Sequence, residues 1–414
     1  MPPSVHRGMS TGERIAAWRV YRGVTQEACA GLVGKSLSWW KKVEQGVRHV
    51  ERLSDLALIA QILNVRDLAD LTGGLEFSLA LDRKREHPQM ARMRAALAES
   101  IAPPDGNGDP VEPVDPTSLQ ADLTAMWAEQ DSPRFVWSAA CQIPPLLRTA
   151  TAVRWAAEDA ASRRRAMGLL CEAYIMAGYW FRYVSDSGPA QNASFLAQSA
   201  ALESGDPRMI ALAAWLQAGV LKDLGQFTES VSMCERGAAV LEPGLADDPG
   251  DHRALWGHLQ LQAALNAAHA MDDGTALRFW DRGDEMSRRL GPDYVHPITV
   301  FGRANVGIFL IRVNTALGKA GAAITAADRT DISAMPAATS RALALVDVAR
   351  CYVNRPGHDD VAAVHMLRRA EEESPDIVAF STFAHEMTRE IMRRGDRTVS
   401  AEIHDFARRI GIFT

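Results

Sequence analysis

The sequence predicts an all-α fold: five short helices at the N-terminus, followed by a long solenoid of helical hairpins. Three observations predict it. The composition is rich in alanine and leucine with only 7% aromatic residues, which favours helix over sheet. Apolar residues recur at helical spacing, behind Ser or Thr caps and ahead of glycines. From residue 117 onward, hairpin-like segments succeed one another roughly every 40 residues, and none alternates as a strand would.

Residues 10–72 divide into five helices. Ser10 or Thr11 caps the first, in which Ile15, Trp18 and Tyr21 or Arg22 follow at helical spacing until Gly23 ends it. Thr25 caps TQEACAGLVG, with Gly34 at the turn, and Ser36 caps SLSWWKKVEQG, which Gly46 terminates. Ser54 opens SDLALIAQILNV, where Leu56, Ile59, Ala60 and Leu63 form one apolar stripe, and RDLADLTG closes the unit. This places a small domain at 9–73.

Residues 74–116 read as a connector. FSLALDRKREHPQMARMRAALAES is a charged helical stretch, and IAPPDGNGDPVEPVDP is dense in Pro, Gly and Asp, as a flexible linker is. Residues 117–414 then repeat one unit: a helix of small and large apolar residues, a Gly- or Asp-bearing turn, and a second helix ending in charge. ALAAWLQAGVLKDLGQFTESVSMCERGAAVLE is one example. Such a hairpin cannot bury its apolar face alone, so neighbours stack into a superhelix with a concave groove.

The bulk numbers agree with a two-part chain. At 414 residues, with 47% apolar and 23% charged residues, it is long enough for two or more cores. Five scattered cysteines form no CxxC pair and read as buried thiols of a reducing compartment. Neither a secretory signal nor a stretch of ~20 apolar residues is evident, so the expectation is a cytoplasmic protein with no membrane partner. The net charge is −6, yet from Met9 to Leu53 eight basic residues face four acidic ones. A basic module on an acidic chain suits phosphate neutralisation.

The Thr25-Gln26-Glu27 start, Ala30, the Gly34 turn, Ser36, Val43-Glu44, Gly46 and the Leu-rich helix after them fall in register with a known pattern. This stretch of about 60 residues resembles the Xre/Cro-type helix-turn-helix family, whose five-helix, lambda-repressor-like domain binds double-stranded DNA. The resemblance implies that Gln26 touches a phosphate and braces the recognition helix, and that Arg19 and Glu44 form a structural ion pair. In that motif the first exposed residues of the recognition helix face base edges. Here they are Leu37, Ser38, Lys41 and Lys42, behind the cap Ser36. A lysine reaches guanine O6/N7, Ser38 several bases, and Leu37 a thymine methyl. Trp40 and Val43 are expected on the buried face, Trp39 between the two, and Arg48 on a phosphate. Lys35 departs from the pattern, standing where the family has a buried aliphatic residue.

The region from 117 resembles the tetratricopeptide-like domains joined to such heads in actinobacterial regulators, through SPRFVWSAACQIPPLLR, Trp180, Trp215 and Trp256, and VFGRANVGIFLIRV. The resemblance implies a groove for a peptide, a small molecule or a partner protein. First-helix residues would line it: Tyr179, Tyr183, Trp215, Lys222, Trp256, Gln260, Arg303 and Asn305. For Trp180 and Trp215, packing between helices is the competing reading. Arg303 and Asn305 stand out as polar residues in an apolar segment. A buried polar group needs a partner, either a ligand or the turn of a neighbouring hairpin.

Catalytic signatures are missing from the sequence. Gly34-Lys35-Ser36 mimics a phosphate loop, but Cys29 stands where its first glycine belongs. The eleven histidines are dispersed, so neither a metal nor a cofactor is expected. Two functional readings follow. One is a homodimeric, sequence-specific transcription regulator whose helical repeats dimerise or sense a small-molecule or peptide effector. The other is a tetratricopeptide-type adaptor with a degenerate head.

Overall fold

The computed structural model describes residues 9–48, 50, 53–63, 65, 69–72, 87–102, 115–184, 186–246, 250–355, 357–395 and 397–412. The chain forms two compact units, Met1–Arg85 and Glu86–Thr414. Regular structure among the described residues is helical throughout.

The first unit holds α1 (Thr11–Arg22), α2 (Gln26–Leu32), α3 (Leu37–Glu44), α4 (Leu53–Ile62) and α5 (Ala69–Thr72). Ser10 opens α1 with a reciprocal capping box: its backbone N–H donates to Glu13 Oε2 at 2.6 Å, and its hydroxyl accepts from the Glu13 N–H. Thr25 and Ser36 cap α2 and α3 in the expected way, each accepting from a backbone N–H three residues on. Gly34, in the turn between α2 and α3, has φ +67°, a conformation that favours glycine. Ile15, Trp18, Cys29, Ala30, Trp40, Val43, Leu56, Ile59 and Leu63 make one core. At Gly12 a Cβ would strike the Val43 carbonyl oxygen, so α1 and α3 meet backbone against backbone. The side chain of Ser54 lies outside the described residues.

The second unit begins earlier than the connector at 74–116 suggested. α6 (Met90–Glu99) packs on α8 (Phe135–Ala156) and α9 (Ala160–Tyr183), burying Met90, Met93, Ala96 and Leu97. Its apolar stripe is what draws it into the fold. The Pro- and Gly-rich stretch from 103 to 114 lies outside the described residues. α7 (Pro116–Ala128) packs on α8 and α9. Helical hairpins follow: α9 with α10 (Ser187–Ser204), α11 (Pro207–Asp223) with α12 (Phe227–Leu241), and α13 (Asp251–His269) with α14 (Asp273–Leu290). α15 (Arg303–Ala316) pairs with α16 (Ala320–Arg329), and α17 (Ala338–Asn354) with α18 (Asp360–Glu373). α19 (Pro375–Phe380), α20 (Thr382–Arg394) and α21 (Ser400–Ile410) end the array.

First helices also stack on one another in sequence: α9 on α11, α11 on α13, α13 on α15 and α15 on α17. They form an inner layer and their partners an outer one, the solenoid arrangement the repeats require. The stack curves until its ends meet. The Tyr183 hydroxyl on α9 donates to Thr339 Oγ1 on α17 at 3.4 Å. Ser374 Oγ donates to the Pro133 carbonyl, and the Trp137 N–H to Asp376 Oδ2. The superhelix thus completes a turn around a central channel.

Candidate functional site

In the first unit, α3 has two unlike faces. Trp40 and Val43 are buried, Glu44 is 8% exposed, and Trp39 is half-buried. Glu44 anchors this face. Arg19 donates to it through Nε at 2.6 Å and Nη2 at 3.1 Å, Gln26 through Nε2 at 2.6 Å, and Trp40 through Nε1 at 2.6 Å. Burial alone would push the Glu44 carboxyl up, but these three donors hold it below its ordinary range. The carboxylate therefore ties α1, α2 and α3 together. Arg19 and Glu44 form the expected ion pair, and the Gln26 amide braces α3 through Glu44.

Among the described residues, the opposite face makes no such ties. Leu37, Ser38, Lys41 and Lys42 are exposed along one edge of α3, Ser36 is spent as its N-cap, and Arg48 is exposed in the following turn. Lys35 departs from the aliphatic pattern without being buried. Its side chain is half-buried, and its ammonium lies 3.2 Å from Asp55 and over the Trp39 ring.

In the second unit, the channel gathers only some of the residues expected to line a groove. Tyr179 stacks on Trp215 with ring centroids 4.3 Å apart, and Trp215 meets His258 edge-on. Tyr183 lies beside them. Asn305 is buried, and its amide faces the His258 imidazole. Arg303 does not belong here. It sits exposed at the start of α15 and donates to Asp284 of α14 at 2.6 Å, so its partner is the neighbouring hairpin. Trp256, two residues from His258 on α13, is half-buried and packs against the core. Trp180 also packs between helices, with Nε1 donating to the Val136 carbonyl at 2.7 Å.

The channel also contains charges, of which only Lys222 was expected from the sequence. Arg182 Nε and Lys222 Nζ each donate to Asp223 at 2.6 Å, and Arg312 Nε lies 3.3 Å from Asp347. Their side chains are neither sealed nor free, at 16% exposure for Arg182 and Lys222, 25% for Arg312 and 18% for Asp347. Burial resists ionisation of Asp223, yet Arg182 and Lys222 overcome it and hold the carboxyl well below its usual range. At Asp347 burial wins over Arg312, Arg350 and Lys222, and the carboxyl is pushed up. His269 falls to about 4 through burial, then through Lys222, Arg312 and Arg350. The legible signal was a charge inside an apolar helix, as in FLIRV and LVDVAR. It was followed at Arg303 but not at Arg312.

Among known proteins, a family model described as a helix-turn-helix domain matches residues 11–72. No curated protein matches. Among solved structures, the Bacillus thuringiensis protein PlcR, in complex with the peptide PapR7 and DNA, aligns at 13% identity and a TM-score of 0.31. That alignment covers 88% of this chain and 98% of PlcR. A likeness at that TM-score carries no argument. The domain match and the Glu44-braced three-helix geometry agree: residues 11–72 are a helix-turn-helix domain at the head of an all-helical chain.

Proposed function

We propose that the chain is a sequence-specific DNA-binding transcription regulator that acts as a homodimer and responds to an effector bound in its helical repeats. The observation that carries this reading is the exposed edge Leu37, Ser38, Lys41 and Lys42, backed by a helix face locked to α1 and α2 through Glu44. A reading helix must present side chains to base edges from a rigid support. In this reading Ser38, Lys41 and Lys42 face base edges, Leu37 a thymine methyl, and Gln26 and Arg48 phosphates. A head this small gains affinity by pairing on two half-sites, and the repeats are the larger surface for dimerisation. An effector acts by binding the two head spacings unequally. The role is non-enzymatic, and the cytoplasmic setting follows from the DNA partner.

The test is selection of binding sites from genomic fragments with the full-length protein and with the Ser38→Ala/Lys41→Ala variant. An inverted repeat enriched by the first and lost by the second is expected. Each lost base contact costs about 1–3 kcal/mol, or roughly five- to 150-fold in affinity. No sequence enriched above non-specific binding, with or without cell extract, would instead favour a protein-interaction adaptor.

A further inference from the structure

The channel charges do not balance. Among the described residues, Arg182, Lys222 and Arg312, with Arg350 beside Asp347, face the carboxylates of Asp223 and Asp347. Two guanidiniums and an ammonium also offer more N–H donors than two carboxylates accept. The groups come from successive inner helices, and the field of Arg312 reaches Tyr179 and Tyr183 on α9, Lys222 on α11, His258 and His269 on α13, and Asp347 on α17. A purely structural network would neutralise itself, because each uncompensated buried cation costs several kcal/mol.

Two further features mark a built site. Gly219 leaves the room that Arg182 occupies, since a Cβ there would lie 2.5 Å from the guanidinium carbon. Trp215, 4% exposed and stacked on Tyr179, keeps Nε1 buried without a hydrogen-bond partner among the described residues. Tryptophan N–H groups that are buried ordinarily find an acceptor. An apolar aromatic wall therefore adjoins a surplus of positive charge.

We propose that the central channel binds a small organic anion, its carboxylate or phosphate seated on Arg182, Lys222 and Arg312 and its apolar body against the half-buried Tyr179 and Tyr183, which Trp215 backs. The proposal deepens the effector reading by naming the ligand's chemistry. Cations held in place in a partly desolvated channel discriminate strongly for charge, and the aromatic wall supplies the contact area.

The test titrates full-length protein, without DNA, with phenylacetate, phenyl phosphate and the neutral benzyl alcohol, followed calorimetrically. At least one anion should bind saturably, and the alcohol at least about tenfold more weakly. The tighter of the two anions identifies the headgroup. Arg312→Gln on α15 and Lys222→Met on α11 should each weaken anion binding by about ten- to a hundredfold. Helical circular dichroism selects whichever variant folds. Absence of saturable anion binding, equal binding of the alcohol, or wild-type affinity in a folded variant would overturn the proposal. Operator affinity that stays unchanged with the anion bound would overturn the effector reading alone.

Discussion

Replacing Glu44 with alanine should loosen the helix-turn-helix domain more than replacing its ion-pair partner Arg19. Glu44 receives two hydrogen bonds from Arg19, one from Gln26 and one from Trp40, all between 2.6 and 3.1 Å. Without the carboxylate, Trp40 Nε1 is left with no acceptor at a fully buried residue, and the Arg19 side chain, 15% exposed, loses its counter-ion. Removing one member of such a pair costs about 3–5 kcal/mol. Arg19→Ala is milder. Glu44 keeps Gln26 and Trp40, and the other loss is the 3.1 Å bond to the Val24 carbonyl. Two charge-assisted bonds then set the cost at about 2–3 kcal/mol. Native-state amide exchange of peptides from α1 to α3 in the full chain reads both. The expected loss of protection is roughly 150- to 5,000-fold for Glu44→Ala and roughly 30- to 150-fold for Arg19→Ala. A loss below about fivefold for Glu44→Ala, or a larger effect for Arg19→Ala, would refute the assignment of Glu44 as the keystone. Because the folded carboxyl sits below its ordinary range, the same protection should be full above that range and fade as the pH falls from it through the lowered folded value.

Gly219→Ala should destabilise the repeats by about 1–3 kcal/mol, by driving Arg182 off Asp223. The double variant with Arg182→Met should recover part of that loss, whereas strict additivity in thermal unfolding would show that the crowding is elsewhere. His258 is held neutral, down to about 3, by burial and then by His296 and Arg312, against the opposing Asn305 amide. Between that value and an unfolded pKa near about 6.5, the unfolded chain binds more protons, so acidification from neutral pH destabilises the fold. Buried Glu172 and Asp347, pushed up, act in the opposite sense. The readout is therefore the difference from His258→Gln, whose stability should fall less steeply between pH 6.5 and pH 4; identical slopes would exclude His258. Arg48→Ala should weaken DNA binding evenly across sequences and lower the salt slope by about 1, and a change of sequence preference would make Arg48 a base reader.

Much of the first unit could be read from the sequence because its determinants are local. Caps at Ser10, Thr25 and Ser36 satisfy N–H groups within three residues, glycines mark the turns, and the helical period separates Trp40 and Val43 from Ser38 and Lys41. The all-α class and the hairpin repeat were legible for the same reason. A groove was legible, with Tyr179, Tyr183, Trp215 and Lys222 in it, but its charge network was not, because the charges are far apart in sequence: Arg182, Lys222, Arg312 and Asp347 lie on four helices, and only the curvature of the solenoid brings them together. The same distance left two partners open for Arg303, a ligand or a neighbouring hairpin. A polar residue in an apolar segment needs a partner, but its identity, Asp284 on the adjacent hairpin, depends on how two hairpins pack. Periodicity and capping chemistry act over a few residues and so determined the helices of this protein. Side chains tens of residues apart meet only through stacking, so the tertiary structure decided which charges share the channel.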